Sequence, residues 1–381
     1  MATVITNLLS AIPVFGKDLV ELIWKSEWIF NLFIFSLFLY FFIQLVNYFL
    51  FNYSFFLFIN KDRSSFILPE NNWPRLGNIN WSKVRKELPI TEKDVEYYKS
   101  ISYDWLARLV GIIDGDGYIS IVKSDKRGYI SITLKLGLIY KDLEMLKSIK
   151  DVLKIGRIAG PYKNIKGQET IYLIFNKTEL QQVLFPLLIF HNIYFLTPER
   201  IKQYKKALYY MESGEVKFQD DLEIFKSNSD SIEPLKLNNS VQSFSFYKSI
   251  FKKPNYPEIA SDYLEFPFFK SWLVGFTIAE GSFFVKSNLD FCFELRQRSH
   301  ESWGTEFFLA LNVIFKSSRK IGLEQGKYLK FSVSSKANIQ EIINFFSFSS
   351  NPPLMGSKLE QYLNWLENLK LSQRYNSFKF P

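Results

Sequence analysis

Two stretches of the sequence share one pattern: LVGIIDGDGYISI at residues 109–121 and LVGFTIAEGSFFV at residues 273–285. Both contain Leu, Val, Gly, an acid and Gly at the same spacing, and the acids are Asp116 and Glu280. Each copy begins with helical periodicity, ends at the acid and the glycine, and passes directly into an alternating strand. The sequence therefore predicts an internally repeated fold in which the two acids occupy matching positions.

The segments that follow each copy repeat in the same order. After the first copy we predict a hairpin with its turn at 124–128, a helix over 142–153, a second hairpin over 157–174 and a helix over 199–211. After the second copy we predict strands over 283–286 and 291–297, a helix over 302–315, a strand over 328–334, and helices over 339–346 and 357–370. Both halves therefore follow the order αββαββα, which is an α+β fold, over 103–212 and 263–381, joined by a polar linker at 213–262.

The two motif helices are expected to pack against each other. Gly111 and Gly275 stand five residues before the acids, and a glycine inside a helix costs about 1 kcal/mol relative to Ala unless a close backbone approach requires it. If the helices pair, both carboxylates emerge at the same end, where the negative partial charge of the helix C-termini attracts a cation. Oxygen ligands of this kind suit Mg²⁺ or Mn²⁺. The glycine after each acid is expected to cap its helix.

Composition narrows the chemistry. The 381 residues contain one cysteine, Cys292, and two histidines, His191 and His300, which excludes a disulfide framework and a multi-cysteine zinc site. The net charge of +9 favours a polyanionic partner. Catalysis is therefore expected to depend on carboxylates, amides and basic side chains.

The N-terminal region differs from the rest of the chain. Residues 28–60 contain no charged side chain and are apolar almost all round, which predicts a transmembrane segment. A buried core helix, or a leader removed by proteolysis, is the alternative. Residues 61–102 mix turn residues with scattered charge and are expected to connect this segment to the body of the protein.

The repeated motifs resemble those of the LAGLIDADG homing endonucleases and their intron maturase relatives. LVGIIDGDG matches the nine-residue family name at six positions and LVGFTIAEG matches it at four, with Ile278 where the first copy has Asp114. The likeness extends from about Tyr103 to the C-terminus. It implies two four-stranded sheets that form a saddle over DNA. It also implies that the eighth motif residue, here Asp116 or Glu280, binds a divalent metal that helps water attack each strand.

The same resemblance suggests further site residues. Gln297 matches a glutamine that helps to order active-site water, with Leu136 at the corresponding place in the first half. Lys358 matches a basic residue that reaches the scissile phosphate, although a surface lysine at a helix end would look the same in the sequence. Its first-half partner is not evident, and the candidates in that region are Thr197, Arg200 and Lys202.

The polar faces of the two motif hairpins are the predicted nucleic-acid contacts, because the opposite faces carry Ile and Phe. A β-ribbon fits the major groove of DNA and can read base edges there, although ordinary solvated strand faces would show the same alternation. The residues on the polar faces are Ser120, Val122, Ser124, Ser131, Thr133 and Lys135 in the first half, and Phe284, Lys286, Asn288, Glu294 and Arg296 in the second.

Residues 2–24, ATVITNLLSAIPVFGKDLVELIW, resemble a short piece of cytochrome b. This likeness implies a reading frame that began in a cytochrome b exon and continued into an intron, with expression from a mitochondrial genome. The leading hypothesis is a monomeric endonuclease that cuts the double-stranded DNA of the intronless cytochrome b gene. The second is a maturase that binds its own group I intron RNA. Anchorage to the mitochondrial inner membrane through 28–60 is a third, weaker hypothesis.

Overall fold

The computed structural model describes residues 73–74, 76, 91–124, 129–163, 165, 167–213, 257, 259–298 and 303–381. The exon-like segment at 1–27, the predicted transmembrane segment at 28–60 and nearly all of the predicted linker lie outside these residues. Within the described ranges, no helix combines the length and the apolar character needed to cross a membrane.

The first half packs helices against a four-stranded antiparallel sheet. Its elements are helix Glu92–Lys99, the first motif helix Tyr103–Asp116, strands β1 (Gly117–Ser124) and β2 (Tyr129–Ile139), helix Leu143–Leu153, strands β3 (Arg157–Lys163) and β4 (Glu169–Asn176), a helical stretch formed by Lys177–Glu179, Leu180–Leu184 and Phe185–Phe190, and the Arg200 helix Pro198–Ser213. The sheet order is β1-β2-β4-β3.

The second half repeats this arrangement. Its elements are helix Ala260–Glu265, the second motif helix Phe269–Glu280, strands β5 (Gly281–Val285) and β6 (Phe291–Arg298), helix Trp303–Ile314, strands β7 (Gly322–Glu324) and β8 (Tyr328–Val333), helix Lys336–Ile343, a π-helical turn Asn344–Phe348 and the Lys358 helix Gly356–Leu371. The sheet order β5-β6-β8-β7 equals that of the first half. The predicted α+β repeat is therefore confirmed at the level of the fold.

Several elements escaped the sequence analysis, including helix Ala260–Glu265 at the end of the predicted linker. Helix Glu92–Lys99 lies in the predicted connector, and its mostly polar sequence buries only Tyr98. Strand Gly322–Glu324 has three residues, too few for an alternating pattern. The helical stretch that ends at Phe190 is apolar on nearly all sides, so it lacks the polar stripe by which an amphipathic helix is recognised.

The glycines after the motif acids cap their helices with an extended backbone. Gly117 has φ −85° and Gly281 has φ −78°, so neither uses the left-handed conformation of a typical capping glycine. Glycine is needed at both positions because there is no room for a Cβ. A Cβ on Gly117 would lie 2.5 Å from the carbonyl oxygen of Ile113, and one on Gly281 would lie 2.6 Å from that of Thr277.

Aromatic side chains fill much of the core, which accounts for part of the high phenylalanine content. In the second half Phe283 contacts Phe293, Phe346 and Trp365 with ring centroids 5.1 to 5.5 Å apart. Such edge and offset contacts add about 0.5 to 1.5 kcal/mol each beyond the burial of area. This aromatic core fixes the inner face of the β5-β6 hairpin and leaves its outer face free for other contacts.

Candidate active site

The two motif helices touch at backbone distance. A Cβ on Gly111 would lie 2.0 Å from the carbonyl oxygen of Trp272, and a Cβ on Gly275 would lie 1.8 Å from that of Arg108. A third glycine, Gly115, faces a side chain of the other helix, because a Cβ there would lie 2.3 Å from the Cβ of Ala279. The closest approaches between the two helices are therefore made at glycines. The sequence analysis identified Gly111 and Gly275 but missed Gly115, which stands beside the first acid.

This interface brings the two motif acids together. Glu280 packs against Gly115, with its Cγ 3.2 Å from the position of a Cβ there, and Asp116 is the next residue. Besides burial, the charge of Glu280 raises the pKa of Asp116, as expected of two carboxylates that share one site. Both acids are the last residues of their helices, so the partial charges of two helix C-termini add to the negative field at this point.

The surroundings of both carboxyl groups disfavour their ionised form. Loss of hydration, followed by the charge of Glu280, raises the pKa of Asp116 to about 7, and Lys358 opposes this change. Burial also raises the pKa of Glu280, against a hydrogen bond from Gln297. Asp116 is nonetheless exposed on the open side of the site. A cation that arrives there would relieve the repulsion.

The donor set fits a hard divalent cation that is shared with a substrate. Two carboxylates face one opening, and within the described part of the chain no group of three or more His, Cys, Asp or Glu side chains comes together. Mg²⁺ commonly binds through one or two carboxylates and completes its shell with water and phosphate oxygens. Asp116 and Glu280 therefore suit an ion whose remaining ligands come from water and from a phosphate.

Lys358 lies beside the acids. Its Nζ donates to the carbonyl oxygen of Gly281, the residue after Glu280. Burial lowers the pKa of Lys358, and the nearby carboxylates of Asp116, Asp142 and Glu280 act in the opposite direction. Loss of hydration thus outweighs the attraction of these carboxylates. A further anion beside the ammonium group would therefore favour its charged form.

Arg200 occupies the matching place in the first half. Its Nε donates to the carbonyl oxygen of Ile113 at 3.2 Å, and Gln203, three residues later, accepts from the amide of Ile119 at 2.9 Å. In the second half, Gln361 stands three residues after Lys358 and accepts from the amide of Phe283 at 3.5 Å. The shared spacing selects Arg200 from the three first-half candidates.

Strand register corrects the assignment of a first-half counterpart to Gln297. Gly117 pairs with Leu136 and Gly281 pairs with Leu295, so Leu136 matches Leu295 and the residue that matches Gln297 is Leu138. Leu138 is buried and apolar, so it cannot hydrogen-bond to Asp116 as Gln297 does to Glu280. The two halves of the site are therefore chemically unequal.

Asp114, the other acid of the first motif, has a structural part. It is 4% exposed and accepts from the amides of Leu196 and Thr197, from Thr197 Oγ1 at 2.6 Å and from Trp272 Nε1 at 2.8 Å. Burial raises the pKa of Asp114 to about 6 against these hydrogen bonds. Asp114 thus ties the start of the Arg200 helix to the second motif helix, and lies away from the open site.

The predicted nucleic-acid residues divide into two groups. On β1, β2, β5 and β6 the parity agrees with the prediction, since Ser120, Val122, Ser131, Thr133, Lys135, Phe284, Glu294 and Arg296 are partly or fully exposed while the alternate Ile, Leu and Phe residues pack inward. The other three residues differ. Ser124 ends β1, Lys286 follows β5 and donates to Ser334 Oγ at 3.0 Å, and Asn288 lies in the turn, bonded to Asp290.

The outer faces also carry residues that the sequence analysis did not select. Tyr162 and Tyr172 lie 6.0 Å apart on β3 and β4, and the ring of Tyr172 covers Gly137. In the second sheet Arg296 pairs with Glu324 at 2.8 Å and stacks 4.1 Å over Tyr328. Only the pairing of the outer strands with the motif hairpins places these side chains on the same faces.

The raised pKa of Asp116 predicts a pH-dependent stability without metal. Folded Asp116 keeps its proton up to about pH 7, whereas the ordinary carboxyl releases it near 3.8, so its contribution to stability falls as pH rises between these values. Asn cannot titrate in this range. In EDTA, we expect the urea midpoint of Asp116→Asn, relative to that of the wild type, to rise as the pH increases from 4 to 7. Above pH 7 this difference should stay constant. Asp151→Asn, at an exposed position, is the control, and equal gains in both variants would contradict the prediction.

The fold is similar to that of solved LAGLIDADG homing endonucleases. The structure of I-SmaMI bound to uncleaveable DNA with a TTCT central four is similar, with a TM-score of 0.50 and 21% identity over 72% of this chain and 92% of that one. A mutant of I-SmaMI gives a TM-score of 0.50 and 21% identity over 71% and 92%. A structure described as the I-SmaMI LAGLIDADG homing endonuclease bound to cleaved DNA has a TM-score of 0.49 and 20% identity, over 71% of this chain and 93% of that one. No protein-family model matches the sequence.

Proposed function

We propose that the protein is a site-specific endonuclease that hydrolyses both strands of double-stranded DNA with Mg²⁺ or Mn²⁺. The observation that carries the proposal is the close helix interface, which joins Asp116 and Glu280 at one opening. Lys358 and Arg200 flank this opening from the two halves. Two acids and two cations in a twofold arrangement suit a substrate with two similar reactive groups, such as the two strands of a duplex.

Each residue has a definable part in phosphodiester hydrolysis. A bound divalent ion supplies Lewis-acid stabilisation of phosphate charge and activates water. Asp116 and Glu280 provide the oxygens that hold it. Gln297 fixes the orientation of Glu280 through their hydrogen bond. Lys358 and Arg200 offset the charge that grows on the phosphate in the transition state.

The outer faces of the two sheets support a DNA partner. They present exposed side chains such as Lys135 and Arg296, and basic contacts to phosphate supply most of the sequence-independent affinity for DNA. Arg296 is held between Glu324 and Tyr328, so its guanidinium group is pre-oriented for a nucleic-acid contact. I-SmaMI, which shares the fold, has been solved with DNA.

The target and the cellular role rest on the sequence alone. The likeness of residues 2–24 to cytochrome b supports the intronless cytochrome b gene as the target and the mitochondrion as the location. Assistance of group I intron splicing, a monomeric state and attachment to the inner membrane through 28–60 stay predictions.

A cleavage assay tests the proposal. The full chain with Mg²⁺ should cut DNA that spans the intronless cytochrome b junction and spare the same sequence when the intron interrupts it. EDTA should stop the reaction. Cleavage of members of a randomised DNA library without cleavage of the junction would refute the cytochrome b target. Failure to cut any member with Mg²⁺ or Mn²⁺ would refute the endonuclease function.

A further inference from the structure

Two buried aspartates of the first half each hold the start of a helix that carries a site cation. Asp114 accepts from Leu196 and Thr197, directly before the Arg200 helix. Asp142, 7% exposed, accepts from the amide of Ser357 at 2.6 Å and from its Oγ at 2.8 Å. Ser357 lies in the first turn of the Lys358 helix. A carboxylate is favoured there, since it satisfies free N–H groups and complements the helix dipole.

The second half cannot supply this anchor in the way that the first half does. Ile278 stands at the position of Asp114 in the second motif and has no oxygen to accept from a helix start. Asp142 reaches across from the other half instead. The Lys358 helix is therefore held by a residue that follows β2 in the opposite half of the molecule.

The contact between Asp142 and the Lys358 helix requires a glycine at position 356. Gly356 has φ +57°, and a Cβ there would lie 2.4 Å from Asp142 Oδ1. A side chain at this position would therefore displace the carboxylate. The neighbouring residue Lys141 pairs with Glu360, one turn further along the same helix. Two adjacent residues of the first half thus bind the first turns of the Lys358 helix, Asp142 through hydrogen bonds and Lys141 through an ion pair.

We propose that Asp142 is a positioning residue, which holds Ser357 and so fixes the next residue, Lys358, beside Glu280. The inference rests on the proposed endonuclease function. Because Lys358 and Arg200 serve opposite halves of the site, loss of the Asp142 contact should affect the DNA strand that depends on Lys358. The strand that depends on Arg200 should be cut normally, since Asp114 still holds the Arg200 helix.

Strand-resolved single-turnover cleavage tests this proposal. Lys358→Ala and Arg200→Ala first identify the strand that each cation serves. Asp142→Ala should slow the Lys358 strand on the order of 100-fold, as a misplacement of about 1 Å can do. Asp142→Asn keeps an acceptor for the Ser357 amide and should retain the wild-type strand balance. In the Lys358→Ala background, Asp142→Ala should add little, because the two residues act through one group.

The control is Asp151→Ala, an exposed carboxylate on the neighbouring helix Leu143–Leu153, which should cut both strands normally. Equal slowing of both strands by Asp142→Ala, slowing of the Arg200 strand, or no slowing would each overturn the proposal. DNA binding of Asp142→Ala should equal that of the wild type in the same experiment.

A second measurement keeps the inference separate from the proposed function. Lys358 is half-buried and bonded to Gly281, so it should react slowly with acetic anhydride. Asp142→Ala should raise its acetylation, measured by mass spectrometry, while Asp142→Asn should not, and Lys177 should be unchanged in both. Unchanged acetylation of Lys358 in Asp142→Ala would overturn the positioning role, even if the wild-type protein cut no DNA. A wild-type protein that cuts no DNA but shows this acetylation pattern would refute only the endonuclease.

Discussion

We expect Asp116→Asn and Glu280→Gln each to lower Mg²⁺-dependent DNA cleavage by about 1000-fold or more and to leave DNA affinity intact. In the proposed function each acid supplies oxygen ligands to an ion that would be worth several kcal/mol in the transition state, and each 1.36 kcal/mol is a factor of ten. The amides keep the size and the packing of the side chains. Loss of negative charge beside the phosphates should, if anything, strengthen DNA binding.

Single-turnover rates at saturating protein, with affinity measured separately, check this expectation. Asp151→Asn serves as the control for removal of an exposed carboxylate. Cleavage at the wild-type rate by both variants would refute the assignment of the site. The double variant also tests the maturase hypothesis, because group I splicing chemistry belongs to the RNA. A maturase should still accelerate splicing of its intron after both acids are lost.

Most of the fold could be predicted from the repeated motifs. Helix periodicity, the acid at the helix end and the alternating strands are local patterns, so the sequence shows them without knowledge of the fold. The pairing of Asp116 with Glu280 followed from one further assumption, that helical glycines indicate a close helix contact. The distances at Gly111 and Gly275 agree with that assumption.

What the sequence could not provide depends on register and on long-range packing. Strand β1 has eight residues and β5 has five, so Leu136 and Leu295 follow their motif glycines at different distances along the chain, and the sequence analysis assigned Leu136 in place of Leu138 as the match to Gln297. The candidates for the first-half cation lie within a few residues of each other, and only the contacts of Gln203 and Gln361 distinguish them. Asp142 and Ser357 are 215 residues apart, and no local pattern relates them.

The chemical inequality of the two halves follows from these same long-range contacts. Glu280 has an amide partner in Gln297, whereas the matching position in the first half holds the buried Leu138. One cation is a lysine and the other an arginine, which differ in hydration and in the geometry of their donors. A symmetric scaffold would thus present two different environments to the two strands of the proposed duplex substrate.

The helix interface predicts that even Gly111→Ala and Gly275→Ala are disruptive. An added Cβ would meet backbone oxygens at 2.0 Å and 1.8 Å, and backbone atoms cannot move aside as a flexible side chain can. The helices would have to separate by about 1 Å, a displacement that can cost on the order of 100-fold in rate. Overpacking of this kind typically costs about 1 to 3 kcal/mol, occasionally more.

The sign of the stability change makes this test decisive. At a helical site without a close neighbour, Gly→Ala should stabilise the protein by about 1 kcal/mol through helix propensity. At Gly111 and Gly275 the clash opposes that gain, so we expect lower urea midpoints together with slower single-turnover cleavage. Gly322→Ala is the control, because nothing lies within 4 Å of its added Cβ, and it should cut DNA at the wild-type rate. A Gly111→Ala protein that is more stable than the wild type and fully active would show that the helices have room between them, and the close pairing of the two acids would lose its support.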